Sequence, residues 1–132
     1  MSAKIPAAAA DLFTGKALAH LATVGPTGRP LVSPVWVDRE GDRILINSTK
    51  TRVKSQHMQP GAKVALAIMD PASPFRYLGV QGVVAEVRTA GADEQIDRLA
   101  LRYLGKAPYP WRQPGDVRVM FVIEPTHVKM QG

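Results

Sequence analysis

Hydrophobic positions in this chain recur mostly at every second residue, the spacing of strands that turn one face to a core. Val64, Leu66 and Ile68 alternate with Ala65, Ala67 and Met69, branched on one face and mostly small on the other. Val117, Val119, Phe121 and Ile123 alternate in the same way, and His127 to Met130 extends that strand beyond Pro125. Phe75 to Val87 reads as a long strand in which Gly79 and Gly82 mark bulges or close backbone approaches. Earlier in the chain, Ala17 to Val24, Leu31 to Val37 and Arg43 to Ser48 are strands separated by the turn signals Gly25-Pro-Thr-Gly28 and Glu40-Gly41-Asp42. Tight turns predict that these three form an antiparallel meander. Pro34 inside the second demands an edge, a bulge or a bend. Asp70 to Pro74, with two prolines, reads as a loop.

The period changes once. Between Asp93 and Leu104, Ile96, Leu99, Ala100 and Tyr103 fall on one helical stripe, and Gly105 supplies a C-cap. Ala7 to Thr14 and Thr51 to Met58 read as short helices stopped by Gly15 and by Pro60-Gly61. Six or seven strands with two or three short helices predict a mainly β fold, a small antiparallel barrel in a single domain spanning 1–132.

Composition narrows the function. Of the 132 residues, 45% are hydrophobic and 21% charged, a globular balance. There is no cysteine, which excludes disulfides, thiolate metal sites and a cysteine nucleophile, and fits a reducing cytoplasm. The alanine run Ala7 to Ala10 is too short for a signal peptide and no apolar stretch reaches membrane-spanning length, so a cytoplasmic protein without a membrane partner is expected. The net charge of +6 raises the question of a polyanion partner. Aromatics are only 6% and no recognition helix or basic stripe is evident, so nucleic acid is not expected.

The cations instead cluster locally. Asn47, Ser48, Thr49, Lys50, Thr51, Arg52 and Lys54 follow directly from a strand into a short helix. Cations at a helix start are disfavoured by the macrodipole, so the arrangement calls for an anion. Arg52 and Lys54 are placed to neutralise a phosphate, with Ser48 and Thr51 as hydrogen-bond donors and the helix-start N–H groups adding to the field. Tyr109 and Trp111 sit in a proline-rich loop that either caps a ligand or lies against the barrel. The three histidines lack metal-site spacing: His20 reads as structural and His57 as lying on a surface or interface helix face. There is no Gly-x-Ser-x-Gly, no nucleophile–base pair and no paired carboxylates, which weakens a hydrolase. Redox chemistry is not weakened, because there a cofactor carries the reaction.

In this order, Leu21-Ala-Thr-Val, Val32-Ser-Pro-Val-Trp-Val, Ile44-Leu-Ile-Asn-Ser, Thr51-Arg-Val-Lys-Ser-Gln-His-Met, Lys63-Val-Ala-Leu-Ala-Ile and Tyr77-Leu-Gly-Val-Gln-Gly resemble the split β-barrel family of pyridoxamine-phosphate-oxidase-like flavin and deazaflavin proteins. Arg102-Tyr-Leu-Gly105 and Tyr109-Pro-Trp111 resemble its subgroup that uses coenzyme F420. The resemblance implies a homodimer with the cofactor at the subunit interface, and hydride transfer from reduced F420 to a small, electron-poor substrate. FMN is the alternative cofactor, and a non-catalytic flavin or deazaflavin binder the alternative role. It further implies that Ser33, Pro34, Val35 and Trp36 lie along the cofactor ring, the alternative being a core position for Trp36 and an edge-strand position for Pro34, with Asn47 either a turn residue or a contact. Phe75, Arg76 and Tyr77 would reach the partner's site, where dimer packing is the favoured reading for Tyr77. The basic C-terminal segment of the vitamin B6 oxidases is missing, which argues against that substrate.

Overall fold

Every strand in this protein pairs antiparallel, and together they make one curled sheet. The computed structural model describes residues 2–132. A 3-10 helix (Ala7–Phe13) precedes strands β1 (Ala19–Val24), β2 (Pro30–Val35), β3 (Asp38–Glu40) and β4 (Arg43–Thr49). Helix α1 (Val53–His57), strands β5 (Lys63–Asp70) and β6 (Ser73–Arg88), helix α2 (Ala92–Leu104) and strand β7 (Arg118–Gln131) follow. The sheet order is β2-β1-β5-β6-β7-β4-β3, a mainly β split barrel.

The inward face collects the residues that alternation singled out. Val64, Leu66, Ile68, Val119, Phe121 and Ile123 share one core with Leu21, Ile46 and Leu78. Leu12 and Phe13 of the 3-10 helix plug the same core. On the outer face, α2 covers β4 and β7, so Leu45, Met120 and Val122 are buried there with Ala92. The first half of β7 is therefore buried on both faces, which its sequence shows as an unbroken apolar run. Helix α2 has Asp93 and Glu94 in its first turn and Arg102 in its last, as the macrodipole favours. Gly105 ends it at φ 72°, its N–H bonded to Leu101 O.

The meander is not formed. β2 pairs only with β1, whereas β3 and β4 lie at the other end of the sheet order. Trp36 and Val37 carry the chain between the two ends. They do so without a strand neighbour because α2 satisfies the backbone there: Tyr103 Oη accepts from Val37 N–H at 3.1 Å, and the Arg102 guanidinium donates to Val37 O. Pro34 sits in an edge strand, where its missing N–H costs nothing. The expected loop over Asp70 to Pro74 is instead a tight turn, with Asp70 paired to Ser73 across a register shift. Gly82 is a close approach, since a Cβ there would lie 2.6 Å from Glu124 O, and the β6–β7 register shifts beside it. Gly79 is neither a bulge nor a close approach, because its hypothetical Cβ meets only ordinary contacts of 3.6 Å and longer. His57 is half-buried on its helix, with Nδ1 2.9 Å from Thr23 Oγ1.

Candidate functional site

The β4–α1 junction is fixed by its own hydrogen bonds. Ser55 Oγ donates to Thr49 O at 2.6 Å, Arg52 N–H to Thr49 O at 3.2 Å, and Lys50 N–H to Val117 O at 3.0 Å. These bonds present Arg52 and Lys54 on one side of a helix only five residues long. So short a helix contributes little dipole, and the anion field expected there comes from the side chains. Lys54 Nζ donates to Ser33 Oγ at 3.1 Å. Burial, and then the neighbouring charge of Arg52, hold the Lys54 ammonium below the usual lysine range. Among the described residues, no carboxylate forms an ion pair with Arg52, Lys54 or Arg118.

These cations border a cavity of about 220 Å³. Pro34, Val35 and Trp36 form one wall and Asn47 and Ser48 a second. Ile96 and Leu99 of α2, with Leu18, Tyr109 and Arg118, close the rest. Trp36 lies parallel to Tyr103, ring centroids 5.0 Å apart at 5°, and meets Tyr109 edge-on at 5.9 Å. Trp111 stands 6.2 Å from it on the outer side. Trp36 is thus both part of an aromatic stack and a cavity wall.

Arg118 lies on the face of β7 opposite to the alternating Val119, Phe121 and Ile123, and no motif in the sequence singles it out. Helix α2 covers that face, leaving Arg118 7% exposed. Its Nη1 donates to Asn47 Oδ1 at 3.3 Å and its guanidinium lies 4.6 Å from the Tyr109 ring. Asn47 is no turn residue: its Nδ2 donates to Ala92 O at 2.8 Å and to Gln95 Oε1 at 3.0 Å, tying β4 to α2. Ile96 and Leu99 were legible as helix stripe but not as cavity lining, whereas Tyr109 belongs to the loop that the sequence allowed to cap a ligand.

The remaining expected residues lie away from this cavity. Thr49 is buried behind the junction, and Lys50 and Thr51 line a separate recess with Gln56, Val87 and Phe121. Arg76 is held between Asp11 at 2.8 Å and Asp70 at 3.0 Å, and both raise its affinity for its proton. Phe75 is 84% exposed, and Tyr77 lines a shallow groove with Gln81 and His127.

Chemically, the cavity offers an aromatic wall, two uncompensated cations beside it and two buried donors without partners, Ser48 Oγ and Arg118 Nε. That set fits a planar ligand carrying a phosphate. Among the described residues there is no group of three His, Asp or Glu that could hold a metal, and no helix long and apolar enough to cross a membrane.

The sequence matches the family described as pyridoxamine 5'-phosphate oxidase over residues 5–132. No curated protein matches it. Among solved structures it is similar to an F420 reductase, at 31% identity over 95% of this chain and 98% of that one, with a TM-score of 0.79. HupZ of Group A Streptococcus shares the fold at 21% identity, 96% and 93% coverage and a TM-score of 0.69. So does General Stress Protein 26 of Bacillus anthracis, at 15%, 92% and 88%, and 0.63.

Proposed function

Because this chain belongs to the pyridoxamine 5'-phosphate oxidase family, we propose that it is an oxidoreductase of the F420-dependent kind, which reduces a small, electron-poor organic compound by hydride transfer. One observation carries the reading: Arg52 and Lys54 stand together without a carboxylate at the edge of an aromatic-walled cavity. Bringing two cations together and desolvating one of them is unfavourable without an anion, which is the electrostatics of a phosphate site. The likeness to an F420 reductase at 31% identity supports the deazaflavin over other ring systems.

When bound, the cofactor supplies the hydride. The chain's own residues do the rest. Arg52 and Lys54 would hold its phosphate, while Val35 and Trp36 would give its ring a flat apolar wall that keeps water away. The reading includes a pair of copies, in which exposed Phe75 and neighbouring Tyr77 would face the other copy's cavity.

Titration of the purified protein with F420 and with FMN, read by tryptophan fluorescence, tests this directly, because Trp36 lines the cavity. Tight binding of F420 with weak binding of FMN is expected. Preference for FMN moves the activity to flavin chemistry, binding without turnover across acceptors makes the protein a carrier, and binding of neither removes the proposal. Replacing both Arg52 and Lys54 by alanine is expected to weaken cofactor binding by about 2 to 5 kcal/mol.

A further inference from the structure

The phosphate reading gives Arg118 no task, and Ser48, expected from the sequence to donate to the phosphate, is the other polar side chain of the cavity without a partner. Arg118 is 7% exposed, has no carboxylate partner, and its Nε bonds to nothing among the described residues. Ser48 is 4% exposed and its Oγ is likewise unpartnered. A buried guanidinium without an anion is costly, and so is a buried hydroxyl without a bond. Arg118 is nonetheless held in place. Asn47 Oδ1 accepts from it at 3.3 Å, and Asn47 is itself anchored on Ala92 O and Gln95 Oε1. The Tyr109 ring face covers the guanidinium at 4.6 Å. These neighbours position the charge but do not neutralise it.

We propose that Arg118, with Ser48, receives a negatively charged oxygen on the edge of the planar ring that lies against Trp36, forming a second anion locus distinct from Arg52 and Lys54. The inference rests on the cofactor reading and adds a redox preference to it. A hydride carries one negative charge, so its uptake makes the ring more negative by one, and its delivery to the acceptor removes that charge. A fixed guanidinium at the ring edge therefore favours the reduced form, whereas a phosphate locus is indifferent to redox state.

The two loci separate experimentally through ligands that share a ring but lack the phosphate: riboflavin beside FMN, and the phosphate-free deazaflavin beside F420. Arg118→Met is expected to weaken the phosphate-bearing and phosphate-free members of the binding pair by the same factor, roughly tenfold. Arg52→Ala should weaken only the phosphate-bearing member. The wild type should bind the chemically reduced ring more tightly than the oxidised one, and Arg118→Met should erase that preference. Ser48→Ala, a near-isosteric change, is expected to weaken ring binding several-fold without loss of stability, and keeps the test open should Arg118→Met fold poorly. Wild-type protein that binds neither ring overturns the cofactor reading and this inference together. Equal affinity for both redox states, or a folded Arg118→Met or Ser48→Ala with unchanged ring affinity, overturns the inference alone.

Discussion

Lys54 Nζ donates to Ser33 Oγ across 3.1 Å, and this single bond ties the helix that follows β4 to the strand at the opposite end of the sheet order. The bond leaves the ammonium half-buried and next to Arg52, which together lower its proton affinity in the folded state. A lysine depressed in this way burdens the fold at neutral pH. The burden lifts as pH rises through the lowered folded value toward that of the unfolded chain. Lys54→Met is therefore expected to be more stable than the wild type at neutral pH, to lose that advantage progressively in alkali, and to bind phosphate-bearing ligands more weakly. Urea unfolding at several pH values measures the first two effects. A stability gap independent of pH would contradict them.

At acid pH a different set of groups matters. Hydrogen bonds from Arg76 to Asp11, and from Arg88 to Glu40 and Glu86, hold these three carboxyls below their usual range. Their contribution is complete above the ordinary carboxylate range and is lost as pH falls through the lowered folded values. Thermal melts of Arg76→Ala/Arg88→Ala should fall less steeply with acid than those of the wild type. Added salt should narrow the difference, because all three carboxyls are exposed.

Tyr103 is a joint as well as a stacking partner. Its hydroxyl accepts from Val37 N–H at 3.1 Å and donates to Ala17 O at 2.6 Å, both buried. Tyr103→Phe leaves these groups unpaired and is expected to cost about 1–3 kcal/mol in chemical denaturation. The ring itself remains, so the near-ultraviolet dichroism of the Trp36 stack should persist in the folded variant.

The two β6 glycines should respond oppositely. Gly82→Ala places a Cβ 2.6 Å from Glu124 O and 3.0 Å from Ile123 Cγ2, so β6 must move off β7, at about 1–3 kcal/mol. Gly79→Ala meets nothing closer than 3.6 Å and should stay within about 0.5 kcal/mol of the wild type. Equal losses at the two positions would show that the close approach to Glu124 O does not decide the matter.

What the sequence disclosed followed from periodicity. Val64, Leu66 and Ile68, the α2 stripe through Ile96 and Leu99, and the Gly105 cap are local patterns, and each appears where the pattern placed it. The strand pairing was not local. Val37 reads as a continuation of β2 because its replacement partners, Tyr103 and Arg102, lie more than sixty residues away. The site divides the same way. Arg52 and Lys54 announce themselves as neighbouring charges, and Pro34 to Trp36 as a proline-broken strand with an aromatic. Arg118 is one charge in an apolar strand, and only the helix lying over that face turns it from a solvated residue into a buried one. Phe75 to Tyr77 lie apart from the cavity, because the start of β6 faces the 3-10 helix through the Arg76–Asp11 pair.

β7 is the seventh strand along the chain yet sits in the interior of the sheet, between β6 and β4. On the ribosome, then, β4 and β6 emerge complete and must wait through α2 and the proline-rich loop with their facing edges open. The cavity has no floor in that interval, since Arg118 is the first residue of the missing strand. The β4–β7 pairing is a long-range contact of the slow-forming kind, and open strand edges of this sort are where newly made chains stick to one another.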